Sequence, residues 1–461
     1  MTTVARALAD FAVGLRYETV PEPVRARARE LALHFLAVAA RGTRTASSGM
    51  ARRAARALSG PGPATVIGGD ASLAPQYAAL ANGATAHALE LDDVTEVSSL
   101  HPGVVVFPAA LAMAEARQVD TREFLVAAVV GYEVMGRLGN ALHVKAHYAR
   151  GFHPTATCGA FAAAAVAARL AGLDATRTAH ALGIAGSLAA GSMAYLDGGA
   201  LTKRTHPGLA AHAGILAAHL AAEGVTGPAR VFEGEQGFFR AYADGGEPER
   251  AVAGLGRDWE TLDVAIKPHA CCRHNHAAID AVLAIVGRHD LAPRDVAAIV
   301  ADIPSTGMPI VAEPRAAKRA PDNVVDAQFS LPYALAVAVR YRRAFLTEYT
   351  EAVLGDPEVR RLMAVVECRG DAELEARFPA AWPARVTVRT AAGATHTVEV
   401  RDPKGSPKHA LTREELTAQV RTLLADVLAP ADAEALIAAA GRLDGLPDVA
   451  SLLKPLRALR G

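Results

Sequence analysis

The chain has 461 residues, and its 48 Lys and Arg balance 48 Asp and Glu, so the formal net charge is zero. This balance argues against a nucleic-acid-binding footprint and against a basic membrane-binding surface, because both need clustered positive charge. Hydrophobic residues make up 51% of the chain but aromatic residues only 5%, which predicts a large core of Ala, Val and Leu.

Cysteine content and the N-terminal sequence bear on the compartment. Four cysteines are too few for a disulfide framework in a chain of this length. Charged residues interrupt the first twenty positions, which argues against a signal-peptide core. No window reaches the roughly 18 uninterrupted apolar residues of a membrane span. We therefore expect a soluble, cytoplasmic protein.

Apolar spacing near 3.6 residues predicts helices through most of residues 1–265. The clearest stretches are 24–42, 74–91 and 122–142. Two others, 161–173 and 208–224, are rich in alanine and nearly apolar all round, so they are expected to be central, buried helices. This first part of the chain is predicted to be a helical domain.

The pattern changes after residue 265. Residues 296–303 have the β-branched content of a strand, and residues 384–400 alternate on both sides of Ala-Ala-Gly, which predicts a hairpin. Helices are expected at 276–289 and 328–341, and Thr412 with Glu415 forms a capping box that starts a further helical run. We expect a mainly α fold in which residues 1–265 and 404–461 form one helical domain. An α+β domain, 266–403, is inserted as a lid that can hinge over a site.

Three His-Pro pairs, at His101, His153 and His206, each precede a run rich in small residues. A residue before proline is disfavoured in the α region, whereas proline suits the first helical turn. Each histidine is therefore expected at a helix start, where free N–H groups and the helix dipole favour an anion.

Two acidic and polar clusters accompany the first two pairs. Glu90 and Asp93, at i and i+3, are expected to share a helix face and to converge with His101, although a solvated loop is the alternative. Around His153, Thr155 and Thr157 can cap the next helix. Cys158 could be a nucleophile with a lowered pKa or a small packed side chain, and we favour the packed side chain.

Two cationic clusters complete the candidates. Lys203, Arg204 and His206 form either a carboxylate seat or a surface turn, and the lack of a glycine-rich phosphate loop favours a carboxylate. Residues 266–280 hold Lys267, Arg273, His276 and two adjacent cysteines. Their spacing does not match a zinc or iron–sulfur site, so we expect no metal and a role in substrate binding and proton transfer.

Six ordered stretches resemble the MmgE/PrpD family, which includes 2-methylcitrate dehydratases, cis-aconitate decarboxylases and iminodisuccinate epimerases. Within residues 87–416 the stretches are HALELDDV…SLHPG, GFHPTATCG, LTKRTHPGLAAHAG, KPHACCRHNHAAID, DAQFSLPYALA and PKGSPKHALTREEL. The resemblance implies a helical domain with an α+β lid, a homodimer, and catalysis without a metal or organic cofactor. The catalytic residues it implies are Asp93, His101, His153, Lys203 and His276. Glu90, Thr155, Lys267 and Arg273 are expected to bind substrate.

The first motif departs from the family's usual Asp-Phe-Asp-Asp-Thr, because this chain has Glu90 in the first position and Val94 in the last. Glu90 reaches about 1 Å further than Asp, and Val94 lacks the threonine hydroxyl. These changes put the family's standard substrates in doubt.

The chemistry shared by the family is the making or breaking of a bond next to a carboxylate-bearing carbon. We expect a lyase that dehydrates or decarboxylates a small di- or tricarboxylate, with Lys and Arg binding carboxylates and His moving the proton. The alternatives are a dicarboxylate epimerase and a family member that binds a carboxylate without catalysis. The order of roles among the histidines is left open.

Overall fold

The structure is a computed structural model that describes residues 2–459. Its first part consists mainly of helices. They are α1 (Val4–Gly14), α2 (Glu22–Gly42), α3 (Ala46–Leu58), α4 (Pro75–Ala86), α5 (Gly103–Arg117), α6 (Thr121–Ala141), α7 (Val144–Ala149), α8 (Pro154–Leu170), α9 (Ala175–Ala185), α10 (Thr202–Ala222), α11 (Phe238–Ala243) and α12 (Pro248–Val252). The predicted helices at 24–42 and 122–142 correspond to α2 and α6.

Alanine and glycine allow the central helices to pack with their backbones close together. Every residue of α8 is buried, and α10 packs against both α8 and α4. At the α4–α10 contact, a Cβ on Gly83 would lie 2.7 Å from the Cα of Gly208. A Cβ on Gly208 would collide with the carbonyl oxygen of Leu80. The low aromatic content of the chain is thus matched by helices packed at backbone distance.

Two short strand pairs interrupt the helices, and the sequence reading did not predict them. β1 (Pro61–Thr65) pairs with β2 (Ser72–Leu73), and β3 (Val94–Thr95) pairs antiparallel with β4 (Val264–Ala265). The second pair ties the loop after α4 to the segment that leads into the α+β part.

The α+β part is built on a four-stranded sheet of order β6-β5-β7-β8. Its strands are β5 (Val296–Pro304), β6 (Val366–Asp371), β7 (Ala384–Thr390) and β8 (Thr395–Val400). Its helices are α13 (His276–Arg288), α14 (Met308–Val311), α15 (Arg315–Arg319), α16 (Val324–Gln328), α17 (Leu331–Tyr341), α18 (Glu351–Leu354), α19 (Pro357–Ala364) and α20 (Ala372–Glu375).

The sheet is mixed. β5 and β6 are parallel, whereas β7 runs antiparallel to both β5 and β8, so Ile299 pairs with Val366 on one side and with Val388 on the other. Helices α14 to α19 make the crossover that a parallel pair needs. The predicted strand at 296–303 and the predicted hairpin at 384–400 are confirmed. α13 covers β7 and β8.

The last helices return to the helical part. They are α21 (Arg413–Leu424), α22 (Pro430–Gly441) and α23 (Val449–Leu453). α21 and α22 pack against α2, and the Thr412–Glu415 capping box is present. The boundaries at 265/266 and 403/404 stay a prediction, and Met1, Arg460 and Gly461 lie outside the described residues.

Two helix boundaries differ from those expected. α4 ends at Ala86, and a single 3₁₀ turn (His87–Leu89) leads into Glu90, whose φ of 55° is left-handed. The prediction that Glu90 and Asp93 share a helix face is therefore wrong, because neither residue lies in a helix.

The third His-Pro pair does not start a helix. α10 begins at Thr202, so Lys203 and Arg204 lie in its first turn and Pro207 lies inside it. The expectation for His206 is wrong, because this helix tolerates a proline one turn after its start. His101 and His153 do precede α5 and α8 as predicted.

The fold is mainly α with a smaller α+β part, as the sequence predicts. Between residues 2 and 459, none of the helices combines the length and the apolar character that crossing a membrane requires.

The close approach of α4 and α10 makes a stability prediction. Gly208→Ala should lower the free energy of unfolding by about 1–3 kcal/mol. The added methyl group would collide with backbone atoms of α4, which can move away only if the whole helix shifts. Gly287→Ala is the matched control, since a Cβ there has open space, and it should be neutral or stabilising by up to about 1 kcal/mol. Urea unfolding of the three proteins measures both effects, and equal stability of the two variants would contradict the argument.

Candidate active site

A recess lies where the helical part meets the α+β part, and the centre of a water-sized sphere fits within about 40 Å³ of it. The helical part contributes Glu90, Val94, Ser99, His101, Tyr148, His153, Met193, Tyr195 and Lys203 to its lining. The α+β part contributes Lys267, Cys272, Arg273, His274, Ile310, Phe329 and Trp382.

Glu90 and Lys203 form a buried ion pair on the helical wall. The left-handed conformation at Glu90 and the first turn of α10 bring the two side chains together. The Nζ of Lys203 also lies 5.0 Å from the centre of the Phe329 ring, a cation–π distance. Burial alone would raise the pKa of Glu90, but the nearby ammonium groups of Lys203 and Lys267 hold it well below its usual value. Glu90 is therefore a carboxylate.

Lys267 joins this pair from the α+β part and is fully buried. Its Nζ donates to the carbonyl oxygen of Glu90 at 3.2 Å and lies 3.6 Å from Oε2 of Glu90 and 3.7 Å from Oδ1 of Asp92. Burial lowers the pKa of Lys267, but Asp92 and Glu90 outweigh it and leave the pKa raised. Two ammonium groups and two carboxylates thus compensate one another beside the recess.

His101 is held through its Nδ1. This atom lies 3.0 Å from Oδ2 of Asp92 and 2.8 Å from the carbonyl oxygen of Asp93. The same Asp92 oxygen lies 2.8 Å from Nδ1 of His87, which is wholly buried. The backbone N–H of His101 donates to Oγ1 of Thr155 at 3.1 Å. Carboxylate, carbonyl and hydroxyl groups therefore fix the orientation of this histidine.

His153 occupies the N-cap position of α8, directly before Pro154. Its Nδ1 lies 3.0 Å from Nδ1 of His206, which projects from α10. Burial, together with the positive charge of Lys203, holds the pKa of His153 well below its usual value. Burial likewise lowers the pKa of His206 to about 4. Both rings are neutral near pH 7.

Arg273 stands on the α+β wall. It donates to Oε1 of Glu96 at 2.5 Å and to the carbonyl oxygen of Lys404 at 3.1 Å. Trp382 donates from Nε1 to the carbonyl oxygen of Glu96 at 3.0 Å. Residues of the α+β part therefore bind both the carboxylate and the backbone carbonyl of Glu96.

The structure brings together most of the residues that the sequence singles out. Glu90, His101, His153, Lys203, Lys267 and Arg273 line the recess, whereas Asp93, Thr155 and His276 do not. Asp93 accepts from the N–H of Gly103 at 2.9 Å and from the hydroxyl of Tyr132 at 2.5 Å. Asp93 and Thr155 therefore support the loop that carries His101.

His276 lies behind Arg273 rather than on the recess. Its Nδ1 accepts from Arg273 at 3.2 Å, and its Nε2 donates to the carbonyl oxygen of Cys271 at 3.2 Å. Burial, with Arg273 and His269 nearby, keeps the pKa of His276 well below its usual value. On the recess itself the histidine of this segment is His274, whose ring packs 4.5 Å from that of Trp382.

The sequence reading missed Tyr148 and Tyr195 as lining residues, since neither lies in a recognisable motif. It also passed over the link from Asp92 to His87. Neither Asp92 nor Asp93 lines the recess: Asp92 contacts His87 and His101, whereas Asp93 contacts Tyr132 and Gly103.

Cys158 is buried in α8 and is not among the lining residues. Burial raises the pKa of its thiol to about 12, which is the opposite of an activated nucleophile. Within residues 2–459, no three His, Cys, Asp or Glu side chains are grouped in a way that could hold a metal ion.

A buried recess that gathers lysines, an arginine and histidines between two parts of a fold is typical of an enzyme for a small molecule. Residues 6–251 match the MmgE/PrpD N-terminal domain, and residues 269–444 match the MmgE/PrpD C-terminal domain. The chain therefore belongs to the MmgE/PrpD family, and it is a lyase of that family.

Its curated relatives include cis-aconitate decarboxylases. The chain is 30% identical over 475 residues to that of Aspergillus terreus, covering 98% of this chain and 96% of that protein. It is 28% identical over 469 residues to that of Homo sapiens, covering 99% and 95%. With the cis-aconitate decarboxylase-like protein oryM of Aspergillus oryzae it shares 33% identity over 293 residues, which is 60% of this chain and 61% of that protein.

The buried Asp93 makes a pH prediction. Burial raises the pKa of Asp93 from 3.8 to about 6, although the Tyr132 hydroxyl and the Gly103 N–H oppose it. Between these values the folded protein holds a proton that the unfolded chain has lost, so the free energy of unfolding falls as the pH rises. In Asp93→Asn this decrease in the free energy of unfolding is absent, because the asparagine side chain does not titrate. We expect the native chain to lose up to about 3 kcal/mol relative to the variant between pH 4 and pH 7.

Urea unfolding at both pH values measures the difference. Asp290→Asn, at an exposed position, is the control and should keep the native pH dependence. The same pH dependence in Asp93→Asn as in the native chain would show that Asp93 is ionised throughout.

Proposed function

We propose that the protein decarboxylates a small di- or tricarboxylate of the cis-aconitate type, with its own side chains as the catalytic groups. The observation that carries the proposal is the grouping of Lys203, Lys267 and Arg273 with His101 and His153 around one recess. Relatives aligned over nearly their whole length carry the name cis-aconitate decarboxylase, which supports the same reaction.

The cations retain capacity for a substrate. Lys203 has three ammonium hydrogens, and its hydrogen bond to Glu90 uses one of them. A carboxylate that enters the recess binds at Lys203 or exchanges with Glu96 at Arg273. Charge-assisted hydrogen bonds of this kind are about twice as strong as neutral ones.

Decarboxylation requires stabilisation of the negative charge that develops on the substrate and a proton donor for the carbon that loses CO₂. When the bond to CO₂ breaks, its electron pair stays on the substrate carbon and spreads into the adjacent unsaturated carboxylate. Cations next to that carboxylate lower the cost of the developing charge. A histidine then delivers a proton to the carbon. Dehydration differs in that a base must first remove a proton, so the recess has groups for either lyase reaction.

Val94 and Glu90 bear on the substrate. Val94 lines the recess with an apolar side chain where the family pattern has a threonine, and Glu90 occupies part of the bonding capacity of both lysines. We propose that the substrate has no polar group on the side facing Val94.

An epimerase is the second candidate. The rings of His101 and His153 lie 6.4 Å apart, centre to centre, on the same recess. Two proton-transfer groups so placed could serve the two faces of one carbon. This reaction has no leaving group, so it is distinguishable by experiment.

The purified protein should be incubated in D₂O with cis-aconitate, 2-methylcitrate, citrate and aspartate-derived imines, and followed by proton NMR. We expect net loss of a carboxylate, with deuterium incorporated at the carbon that it leaves. Deuterium uptake at an α-carbon without net conversion would favour the epimerase. Binding without any reaction across the panel would favour the non-catalytic alternative.

Single substitutions test the site. His153→Gln and Lys203→Met should each lower kcat on the substrate so found by about 10²–10⁴-fold, because they remove a proton donor and a carboxylate-binding charge. His219→Gln, at the exposed end of α10, is the control and should leave kcat unchanged. Full activity of His153→Gln or of Lys203→Met would refute the assignment.

The expected homodimer also has a candidate surface. Leu209 and Leu216 lie two turns apart on α10 and are 50% and 38% exposed. We propose that this face meets a second copy. Leu209→Asp with Leu216→Asp should give a monomer by light scattering after gel filtration, whereas Leu262→Asp, at a 41% exposed leucine elsewhere, should stay dimeric. A dimer that survives the double substitution would place the interface on another face.

A further inference from the structure

The two proton-transfer histidines on the recess have different partners behind them. Nδ1 of His101 faces two oxygens, those of the Asp92 carboxylate and the Asp93 carbonyl, at 3.0 and 2.8 Å. Nδ1 of His153 faces a nitrogen, Nδ1 of His206, at 3.0 Å. Because oxygens of these types only accept and an imidazole nitrogen can accept or donate, the two settings impose different positions on the ring hydrogens.

The oxygens fix the tautomer of His101. Oδ2 of Asp92 faces Nδ1 of both His87 and His101, and its Oδ1 lies 3.7 Å from the ammonium group of Lys267, so Asp92 is placed as a carboxylate that accepts from both rings. A bare Nδ1 facing a carboxylate and a carbonyl would be repelled, and the hydrogen of the neutral ring is therefore on Nδ1. Nε2 then carries the lone pair.

Because its partner atom is a nitrogen, Nδ1 of His153 can either donate or accept the hydrogen bond. One of the two facing Nδ1 atoms must carry the hydrogen and the other must accept it. When His206 donates, the neutral His153 ring carries its own hydrogen on Nε2. Since both rings are neutral, this arrangement makes His153 a proton donor.

We propose that Asp92 and His206 are positioning residues that assign opposite tasks to these two histidines. Asp92 fixes His101 as the proton acceptor at Nε2, and His206 allows His153 to act as the proton donor at Nε2. The assignment rests on the proposed function for its place in a reaction, although the ring states themselves exist without substrate.

His101 accepts no proton in decarboxylation, and its Nε2 lone pair serves the step of dehydration in which a base removes a proton from the substrate. The proton balance in decarboxylation is as follows. The bond to CO₂ breaks, CO₂ leaves, and the carbon that keeps the electron pair takes the proton from Nε2 of His153. Nδ1 of His153 takes the hydrogen of Nδ1 of His206, and His206 takes a solvent proton at Nε2. One carboxylate and one solvent proton become CO₂ and a C–H bond. Exchange with solvent through an open recess restores the first arrangement.

The test reads the ring hydrogens directly, in the full chain labelled with ¹⁵N in its histidines and without substrate. His101→Gln and His153→Gln spectra assign the signals. At mildly alkaline pH we expect His101 as a single tautomer with hydrogen on Nδ1. In Asp92→Asn we expect this single tautomer to be lost to a mixture. In His206→Leu we expect the signals of His153 to shift, with those of His101 unchanged.

His219→Gln on the same helix is the control and should leave both sets of signals in place. A native His101 with hydrogen on Nε2 would overturn the proposal, and so would an Asp92→Asn protein with unchanged His101 signals. Should that variant not fold, the native spectrum still decides the tautomer. Lack of turnover on every substrate would count against the proposed function and leave the ring states as measured.

Discussion

The buried charges around Glu90 are the constraint on which the rest of the site depends. Its carboxylate contacts Lys203 from the helical part and lies within 3.6 Å of Lys267 from the α+β part. Removing these groups from water is costly, and only their mutual pairing offsets that cost. Loss of any one of them leaves an uncompensated charge inside the protein. The same contacts therefore join the helical part and the α+β part beside the recess.

The alanine-rich packing serves the same end. Helices that meet at backbone distance bring their first turns close together, and three of the polar groups lie at or near such turns. His153 precedes α8, while Lys203 and His206 lie in the first two turns of α10. Their convergence would be lost if larger side chains separated α8 from α10. An apolar core with few aromatic residues is thus the means by which the helical part positions its polar groups.

Local patterns explain what the sequence could predict. Apolar spacing places α2 and α6 within two residues, and alternation around Ala-Ala-Gly places β7 and β8, because both signals lie within the element itself. The end of α4 differs. The spacing continues through Leu91, yet Glu90 is left-handed and pairs with Lys203 and Lys267, which are distant in the sequence. The start of α10 was misjudged since Pro207 suits a first turn but is also tolerated inside this helix.

The site shows the same division between local and distant causes. Residue type identifies Lys203, His101 and His153 as candidates, but it cannot separate Asp92 from Asp93, or His274 from His276. Each member of such a pair has the same chemistry and differs only in what it faces. The proton-transfer order left open by the sequence has the same origin. An imidazole becomes an acceptor when oxygens lie behind it and can become a donor when another imidazole does. That distinction lies in Asp92 and His206, which contact the rings from outside the recess.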